Sequence, residues 1–353
     1  MKSSKLIPIV LAAALLLIMG GCLRKPTSTG GETDIYVIAD SSDWVVLEPT
    51  LKEVFEREIK TPQTEKVFEL LWTPPEKLNE VATRKNLILT GAFQSAGAVI
   101  PKVGLSDEVK QRVIAGTAFV FPRRDQWAKE QLMVVLVSNT LEELREKLLA
   151  NRKFLYELFE KKLLDDTAAE MFRELEQVEL EKELLNKYGW TPRIQHDYFI
   201  NVERPQDRFL MLRRSLPGRE RWLFVHWIDE GDSTVLNEKW AIATRNKLTM
   251  KFYENDQINE QYAHSREAVF LNRKAILLEG LWENDEKVIG GPFRSYSFYD
   301  ARARRIYMID IAVFYPGGEK EPFLRQLDVM ANSFKTAQEL GAPANSLSAA
   351  ETN

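Results

Sequence analysis

The sequence predicts an α+β protein with two domains joined by a long helical segment. Its 353 residues are about enough for two domains with cores of their own. The composition, 44% hydrophobic and 28% charged, is that of a globular chain. Strand-like apolar runs are concentrated in two regions, and a stretch over 140–188 without Pro or Gly separates them. The short loops of the second region predict a mainly antiparallel sheet with flanking helices.

The composition also disfavours several classes of function. A formal net charge of -4 and a pI of about 5.7 disfavour nucleic-acid binding, which needs basic residues to neutralise phosphates. Cys22 is the only cysteine, so an intramolecular disulfide, a C-x-x-C pair and a thiolate zinc site are excluded. The three histidines are widely spaced and form no H-E-x-x-H motif. The sequence therefore predicts no metal site and no cofactor.

Residues 1–21 have the pattern of a signal peptide that ends immediately before Cys22. Lys2 and Lys5 form a short positive region, and the uncharged apolar run over 6–19 follows it. This run is shorter than the roughly 20 apolar residues that a membrane-spanning helix needs. Two glycines then precede Cys22.

This arrangement resembles a bacterial lipoprotein signal, in which the cysteine is diacylglycerated, becomes the mature N-terminus and is acylated again. One departure is Met19, where the family pattern usually has Leu. The resemblance implies membrane attachment through lipid at Cys22, and the absence of Asp after Cys22 implies the periplasmic face of an outer membrane. Two alternatives remain: an uncleaved transmembrane anchor and ordinary signal cleavage.

The first predicted domain covers residues 34–138 and follows a polar, lipidated tether over 22–33. Its predicted helices are 48–59, with Pro49 near the first turn, and 106–116, capped by Ser106. The predicted strands of this domain are 34–40, 66–72, 86–91, 117–122 and 131–137.

Residues 139–189 are predicted to be a helical connector, either one long helix or two helices broken near Asp165 and Asp166. Leucines recur in it at helical spacing, and Gly189 is placed to end it. A coiled-coil surface for a partner is one interpretation. A connecting helix packed on both domains is the other, because the apolar stripe changes register near Asp165.

The second predicted domain covers residues 190–336, and a disordered tail over 337–353 follows it. Its helices are predicted near 237–247 and over 319–334. Its predicted strands are 197–203, 208–214, 221–228, 268–283, 292–300 and 304–315. This layout of antiparallel strands that end in a helix is similar to the fold shared by Mog1 and PsbP.

The order of these segments resembles a family of uncharacterised bacterial lipoproteins, domain of unknown function family 4837. The segments that carry the resemblance are "DIYVIADSSDW" (34–44), "TPQTEKVF" (61–68), "RKNLIL" (84–89), "GW-P" (189–192), "IGGPFRSYSFYD" (289–300) and "YPGGEKEPFLRQLD" (315–328). The resemblance implies an envelope lipoprotein of unassigned role, and it defines no catalytic or ligand-binding residue.

One strand-like segment, "RWLFVHWI" (221–228), is apolar on both faces and is therefore expected at the centre of a sheet. His226 shares one face with Trp222 and could act as a general base in a pocket. The alternative is a neutral core histidine, and no Ser or Cys stands in a recognisable nucleophile turn. No catalytic residue is therefore predicted.

The best predicted binding site is the hairpin over 290–310, with a turn at Asp300 to Ala303. Arginines and aromatic residues are interleaved there, and guanidinium groups pair with carboxylates or phosphates through two donors at once. The alternative is a solvated hairpin whose arginines meet nearby Asp and Glu. The residues predicted to form the ligand site are Arg294, Tyr296, Arg302, Arg304 and Arg305.

These observations predict a membrane-anchored envelope lipoprotein that acts by binding or as a scaffold. Its predicted partners are the bilayer, through acylated Cys22, and an envelope protein or an anionic envelope ligand. The alternative is a hydrolase or transferase that acts on an envelope polymer, with His226 or buried carboxylates as acid and base. The sequence contains no G-x-S-x-G, P-loop, G-x-G-x-x-G or EF-hand motif.

Overall fold

The computed structural model describes residues 25–253 and 255–341. Cys22, the predicted signal peptide and residues 342–353 of the predicted tail lie outside these ranges. Within them, none of the helices combines the length and the apolar character that crossing a membrane requires.

The α-helices of the described residues are α1 (Ser41–Phe55), α2 (Leu78–Val81), α3 (Val99–Val103), α4 (Asp107–Ile114), α5 (Leu141–Ala150), α6 (Arg152–Met171), α7 (Val178–Tyr188), α8 (Glu238–Phe252) and α9 (Glu321–Asn332). The strands are β1 (Asp34–Ile38), β2 (Glu58–Thr61), β3 (Gln63–Lys66), β4 (Glu69–Thr73), β5 (Asn86–Ala92), β6 (Val120–Arg124), β7 (Leu132–Ser138), β8 (Trp190–Thr191), β9 (Phe199–Arg204), β10 (Phe209–Leu216), β11 (Arg219–Asp229), β12 (Gln257–Ile258), β13 (His264–Phe270), β14 (Arg273–Asn284), β15 (Ile289–Asp300), β16 (Arg305–Phe314) and β17 (Lys335–Thr336). Single 3-10 turns occur at Pro75–Lys77, Pro205–Asp207 and Ser233–Val235.

The described chain divides into two compact units, each of mixed α and β structure. The first unit contains residues 25–54 and 69–152, and the second contains residues 55–68 and 153–341. The second unit holds a sheet of eight strands in which every pairing is antiparallel. The predicted α+β class, with a large antiparallel sheet in the second domain, is confirmed.

The first unit is built on a five-stranded sheet of order β4-β1-β5-β7-β6. The first four strands are parallel, and β6 is antiparallel to β7. Every residue of β5 and β7 is buried. Continuous apolar runs of this kind are typical of parallel strands with both faces covered.

Helix α1 differs from the predicted helix over 48–59. It begins at Ser41, and Pro49 lies in its interior rather than in its first turn. The segment at 41–43 supplies polar residues and a carboxylate to the N-terminal turn, where they stabilise a helix. Residues 58–61 form the strand β2 instead of the last helical turn.

Both predicted flexible segments are partly docked, which corrects their boundaries. Thr27 forms a parallel bridge with Lys129, and Thr29 forms one with Arg84, so the free tether does not extend to residue 33. At the other end, Ala337 is buried and the Glu339 carboxylate pairs with a guanidinium of the second unit. Backbone pairing and burial of this kind are incompatible with a freely moving chain.

The predicted connector is three helices, and its predicted break near Asp165 is wrong. Helix α6 continues through that point because Lys161 and Lys162 pair with the carboxylates one turn later, at Asp165 and Asp166. The chain breaks instead at Asn151, whose side chain donates to the Lys147 carbonyl at 2.8 Å. A second break separates α6 from α7, which ends at the left-handed Gly189 as predicted.

The large sheet has the order β12-β14-β15-β16-β11-β10-β9, with β13 also paired to β14. Strand β11 lies between β10 and β16, so the predicted central strand is confirmed. Leu223, Val225 and Trp227 belong to the apolar cluster on one face, and Trp222 and Phe224 belong to the cluster on the other. The first cluster packs α7 and α9 on the sheet, and the second packs α8.

The segment predicted as a single strand over 268–283 is a hairpin of β13 and β14. Leu271 and Asn272 connect the strands, both with positive φ of 50° and 61°. Two such residues form the tight turn that matches the twist of a hairpin. Strand β13 thereby becomes an additional edge of the sheet.

A carboxylate from the 55–68 segment caps helix α9. Both Glu65 oxygens accept from the Lys320 backbone N–H, at 3.0 and 2.9 Å, and one accepts from that of Glu321 at 2.8 Å. These N–H groups have no partners inside the helix, and the negative charge complements the helix dipole. Glu65 therefore attaches the β2–β3 hairpin to the second unit across more than 250 residues of sequence.

A buried ion pair fixes α8 on the sheet. The Arg245 Nε donates to Asp310 of β16 at 2.7 Å, and the two side chains are 1% and 0% exposed. The same guanidinium lies 3.8 Å from the centre of the Phe293 ring. Removing one partner of such a pair leaves an uncompensated charge in the core.

Asp310→Leu is expected to destabilise the second unit by about 3–5 kcal/mol, because it leaves the Arg245 charge buried and unpaired. The double variant with Arg245→Leu should recover much of this loss. The measurement is amide hydrogen exchange of β11 and β16. If the single and double variants lose the same free energy of unfolding, the ion pair does not determine the stability of this unit.

Candidate functional site

The second unit contains an open cleft of about 1620 Å³, termed the hairpin cleft. Its lining comes from the β13–β14 hairpin (266–277), the first half of α6 (Lys153, Glu157 and Glu160), the β15–β16 turn (299–302) and Asn332 at the end of α9. These elements meet at the edge of the large sheet, where β13 has a strand on one side only. Ligand sites are commonly concave surfaces of this kind.

Two stacked aromatic rings lie at the bottom of the hairpin cleft. The Phe270 and Tyr296 ring centres are 4.1 Å apart with an interplanar angle of 14°. Both residues are buried, and Phe270 also contacts the Phe298 ring at 5.5 Å between centres. The tight hairpin turn after Phe270 brings that ring over the sheet. Because both rings are almost completely covered, the stack is a rigid, packed part of the cleft wall.

The hydroxyl end of Tyr296 belongs to a network of charged groups. It donates to Asp328 Oδ1 of α9 at 2.7 Å. The Arg294 guanidinium donates to the other Asp328 oxygen and, through Nε, to Glu279 at 3.1 Å. Burial disfavours the charged guanidinium, but Asp328, Tyr296 and Glu279 outweigh it and raise the pKa of Arg294. Burial, with the nearby Asp328 charge, also raises the pKa of Tyr296.

Next to this network lies a smaller cavity of about 230 Å³, termed the Glu160 cavity. Its apolar lining residues are Ile59, Val67, Leu163, Leu164 and Leu324, together with the Tyr156 ring. Its charged lining residues are Arg57, Glu58, Glu160, Arg294, Glu321, Arg325 and Asp328. Arg57 and Glu160 line both cavities, so the two sites adjoin each other.

Glu160 is the half-buried carboxylate of this cavity that lacks a direct partner. Among the described residues, no group donates a hydrogen bond to it or forms an ion pair with it. Burial raises its pKa, although the charges of Arg294 and Arg57 oppose that effect. Perturbed groups of this kind are concentrated at functional sites, although structural networks also contain them.

Two cations at the rim of the hairpin cleft also lack acidic partners. Lys274 follows the β13–β14 turn and Arg302 lies in the β15–β16 turn, and both are exposed. In the described ranges, neither side chain pairs with a carboxylate. Their neighbour Arg273, by contrast, pairs with Asp300 and Glu339. Lys274 and Arg302 are therefore available to an anionic group.

The structure does not bring the five predicted ligand residues into one site. Arg294 and Tyr296 belong to the Asp328 network, whereas Arg302 lies at the cleft rim. The turn at Asp300 is six residues along β15 from Arg294, which corresponds to about 20 Å. The expectation of one arginine cluster around Arg294 is therefore wrong.

The other two arginines of the turn form surface and structural pairs. Arg304 pairs with the exposed Glu230 carboxylate. Arg305 pairs with Asp229 at 2.6 Å and donates to the Tyr188 carbonyl at 2.6 Å. These contacts match the alternative in which the hairpin arginines meet nearby carboxylates.

His226 occupies a structural position on β11. Its Nδ1 lies 2.8 Å from the Arg208 carbonyl oxygen and therefore carries the proton that it donates. Burial lowers the pKa of His226, which favours the neutral ring. His226 lines neither described cavity. Within the described residues, no group of three or more His, Cys, Asp or Glu side chains is placed to hold a metal ion.

The sequence does not single out Phe270, Glu160 or Asp328. Glu160 and Asp328 stand in helices rich in charged residues, where a carboxylate resembles one on a solvated surface. Phe270 falls within a segment predicted as one straight strand. Only the fold places these three side chains beside Tyr296 and Arg294.

Two family models match the chain, one over each half. Residues 177–333 match the family described as Domain of unknown function (DUF4837). Residues 28–172 match the family described as Domain of unknown function (DUF8532). The resemblance to family 4837 is confirmed for residues 177–333. The earlier segments at 34–44, 61–68 and 84–89 lie within the residues that the other model matches. No curated protein matches the chain.

Solved structures match mainly at the level of a single domain. The Saccharomyces cerevisiae Ran-binding protein Mog1p matches with 11% identity and a TM-score of 0.31, over 42% of this chain and 90% of its own. LpqN, involved in cell envelope biogenesis of Mycobacterium tuberculosis, matches with 11% identity and a TM-score of 0.27, over 41% and 82%. A Bacteroides thetaiotaomicron protein matches with 7% identity and a TM-score of 0.26, over 42% and 45%. TM-scores this low support no conclusion about function.

Glu160→Gln is expected to raise the free energy of unfolding at pH 7.5. Burial raises the pKa of Glu160 in the folded state above its value in the unfolded chain, about 4.3. The protonated carboxyl therefore contributes its full stabilisation below the unfolded-state pKa, and this contribution is lost as the pH rises through the folded-state pKa. The gain should therefore shrink toward pH 4. Urea unfolding across this range measures it, with the exposed Glu157→Gln as control. A gain that grows on acidification would contradict the buried-carboxylate interpretation.

Proposed function

We propose that this chain is a lipid-anchored protein of the cell envelope that binds an anionic group of an envelope partner in the hairpin cleft. The observation that carries the proposal is the presence of two exposed cations without an acidic partner, Lys274 and Arg302, at the rim of the open cleft. Arg gives two-pronged hydrogen bonds to oxyanions, and Lys adds a compact positive charge.

A binding role fits this site better than catalysis does. A hydrolase would need a nucleophile or an acid–base pair facing a substrate-sized space. In the Asp328 network both carboxylate oxygens already accept hydrogen bonds, from Arg294 and Tyr296. His226 is turned to a backbone carbonyl. The groups that remain available at the hairpin cleft are suited to recognition.

The proposed location is supported by the sequence of the N-terminus. The positive residues, the short apolar run and the small residues before Cys22 form the pattern of a lipoprotein signal. A single acyl chain gives only marginal membrane binding, whereas two or more chains give lasting attachment. The proposed site of attachment is the periplasmic face of an outer membrane.

Cys22→Ser is expected to abolish incorporation of labelled palmitate and to move the protein out of the membrane fraction, because serine cannot form the thioether. The control is Met19→Leu, which introduces the commoner residue of the signal and should be labelled like the parent. A Cys22→Ser product that still sediments wholly with membranes, unprocessed, would refute the anchor.

The cleft is tested by photo-crosslinking in intact cells. A benzophenone amino acid replaces Val269, an exposed residue of the cleft, or Val288, an exposed residue outside it. A discrete adduct is expected from position 269 only.

When Lys274→Gln and Arg302→Gln are added to the variant with benzophenone at position 269, the adduct yield should fall at least tenfold, because both free cations are lost. Arg304→Gln, in the same turn but outside the cleft, should leave the yield unchanged. Equal yields from positions 269 and 288, or equal effects of the two sets of substitutions, would refute the proposal.

A further inference from the structure

The Glu160 cavity offers a ligand a chemistry different from that of the hairpin cleft. One part of its wall is aliphatic, formed by Leu163 and Leu164 of α6, Leu324 of α9 and Ile59 of β2. Three guanidinium groups and four carboxylates complete the wall, so its formal charge is -1. A ligand that fits must therefore combine an apolar stem with a positive or donating end.

The cations of this cavity are already engaged. Arg325 donates to both oxygens of Glu321, at 3.0 and 3.3 Å, and to Thr167 at 2.8 Å. Arg294 is held by Asp328 and Glu279. The Arg57 guanidinium lies 3.9 Å from the centre of the Tyr156 ring. An incoming anion would have to break these contacts.

The anions are not all engaged. Glu321 and Asp328 accept hydrogen bonds on both oxygens. Glu160 and the exposed Glu58 accept none from the described residues. The cavity therefore has acceptor capacity without a matching donor, and a half-buried acceptor of this kind is costly to leave unpaired.

We infer that the Glu160 cavity binds a primary alkylammonium group, with Glu160 as its counter-ion and the leucine-lined wall around its methylene chain. At about 30 Å³ for each water-sized group, 230 Å³ holds about seven or eight non-hydrogen atoms. A chain of four or five methylenes with a terminal ammonium fits this volume. The same chemistry occurs in a free diamine and in the lysine side chain of a partner protein.

An ammonium suits the site better than other cations. Its compact head carries three donors on a flexible stem, whereas a guanidinium needs a wider planar space. A divalent metal would need more carboxylate ligands than the described residues bring together here. The site goes beyond the proposed function, because none of the anion-binding residues of the hairpin cleft lines it.

Isothermal titration of the purified full chain with 1,5-diaminopentane tests the inference. Binding is expected at pH 7.5 and should weaken on acidification, as Glu160 takes up its proton. Glu160→Gln should weaken binding at least tenfold. Glu157→Gln, one turn earlier on the same helix and lining only the hairpin cleft, should leave binding unchanged. Circular dichroism confirms that both variants fold.

A second titration uses the amide of N-acetyl-lysine, with the norleucine analogue as its uncharged control. Tighter binding of the lysine compound identifies the lysine side chain of a partner protein as the source of the ammonium group. Tighter binding of the diamine identifies a free amine as the source. Absence of binding by both amines, or equal effects of Glu160→Gln and Glu157→Gln, overturns the inference. Neither result affects the crosslinking from position 269, so the proposed function is tested separately.

Discussion

The carboxylate of Asp328 is the group on which the hairpin cleft and the Glu160 cavity both depend. One oxygen accepts from Tyr296, which forms the floor of the hairpin cleft, and the other accepts from Arg294, which lines the Glu160 cavity. Because α9 presents Asp328 and the sheet presents its two donors, the helix and the sheet cannot shift independently at this point. Charge-assisted hydrogen bonds in a partly buried setting are stronger and more directional than surface pairs. The same bonds that hold α9 in place thus shape the walls of both sites.

A second carboxylate, Glu65, plays a similar role at the other end of α9. It satisfies backbone N–H groups that a helix N-terminus leaves free, and it comes from a hairpin far away in sequence. The 55–68 segment consequently belongs to the second unit, although residues on both sides of it belong to the first. This segment supplies Arg57, Glu58, Ile59 and Val67 to the Glu160 cavity. The cavity wall is therefore formed by several segments distant in sequence, and none of them alone contains all of the lining residues.

The sequence predicts local features well where a single residue type decides them. Ser106 caps α4 by accepting from the Val109 N–H at 3.4 Å, and Gly189 ends α7 in the left-handed conformation. The apolar faces of β11 follow from simple alternation. The β13–β14 hairpin escapes prediction because its turn is Leu271 and Asn272, and a leucine with positive φ is rare. The site residues could not be predicted, because Glu160 and Asp328 are distinguished from other helix carboxylates only by their neighbours from distant parts of the sequence.

The docking of the N-terminal segment limits how far a lipid at Cys22 would let the first unit move. The Pro26 carbonyl already accepts from the Lys129 N–H at 2.8 Å, and Thr27 is bridged to the same residue. Only four Cα steps separate Cys22 from Pro26, which span at most about 14 Å when fully extended. A protein tethered in this way would be held close to the bilayer surface, with the β6–β7 connection around Lys129 nearest to the lipid. A ligand of such a protein would have to be present at the membrane surface to be bound.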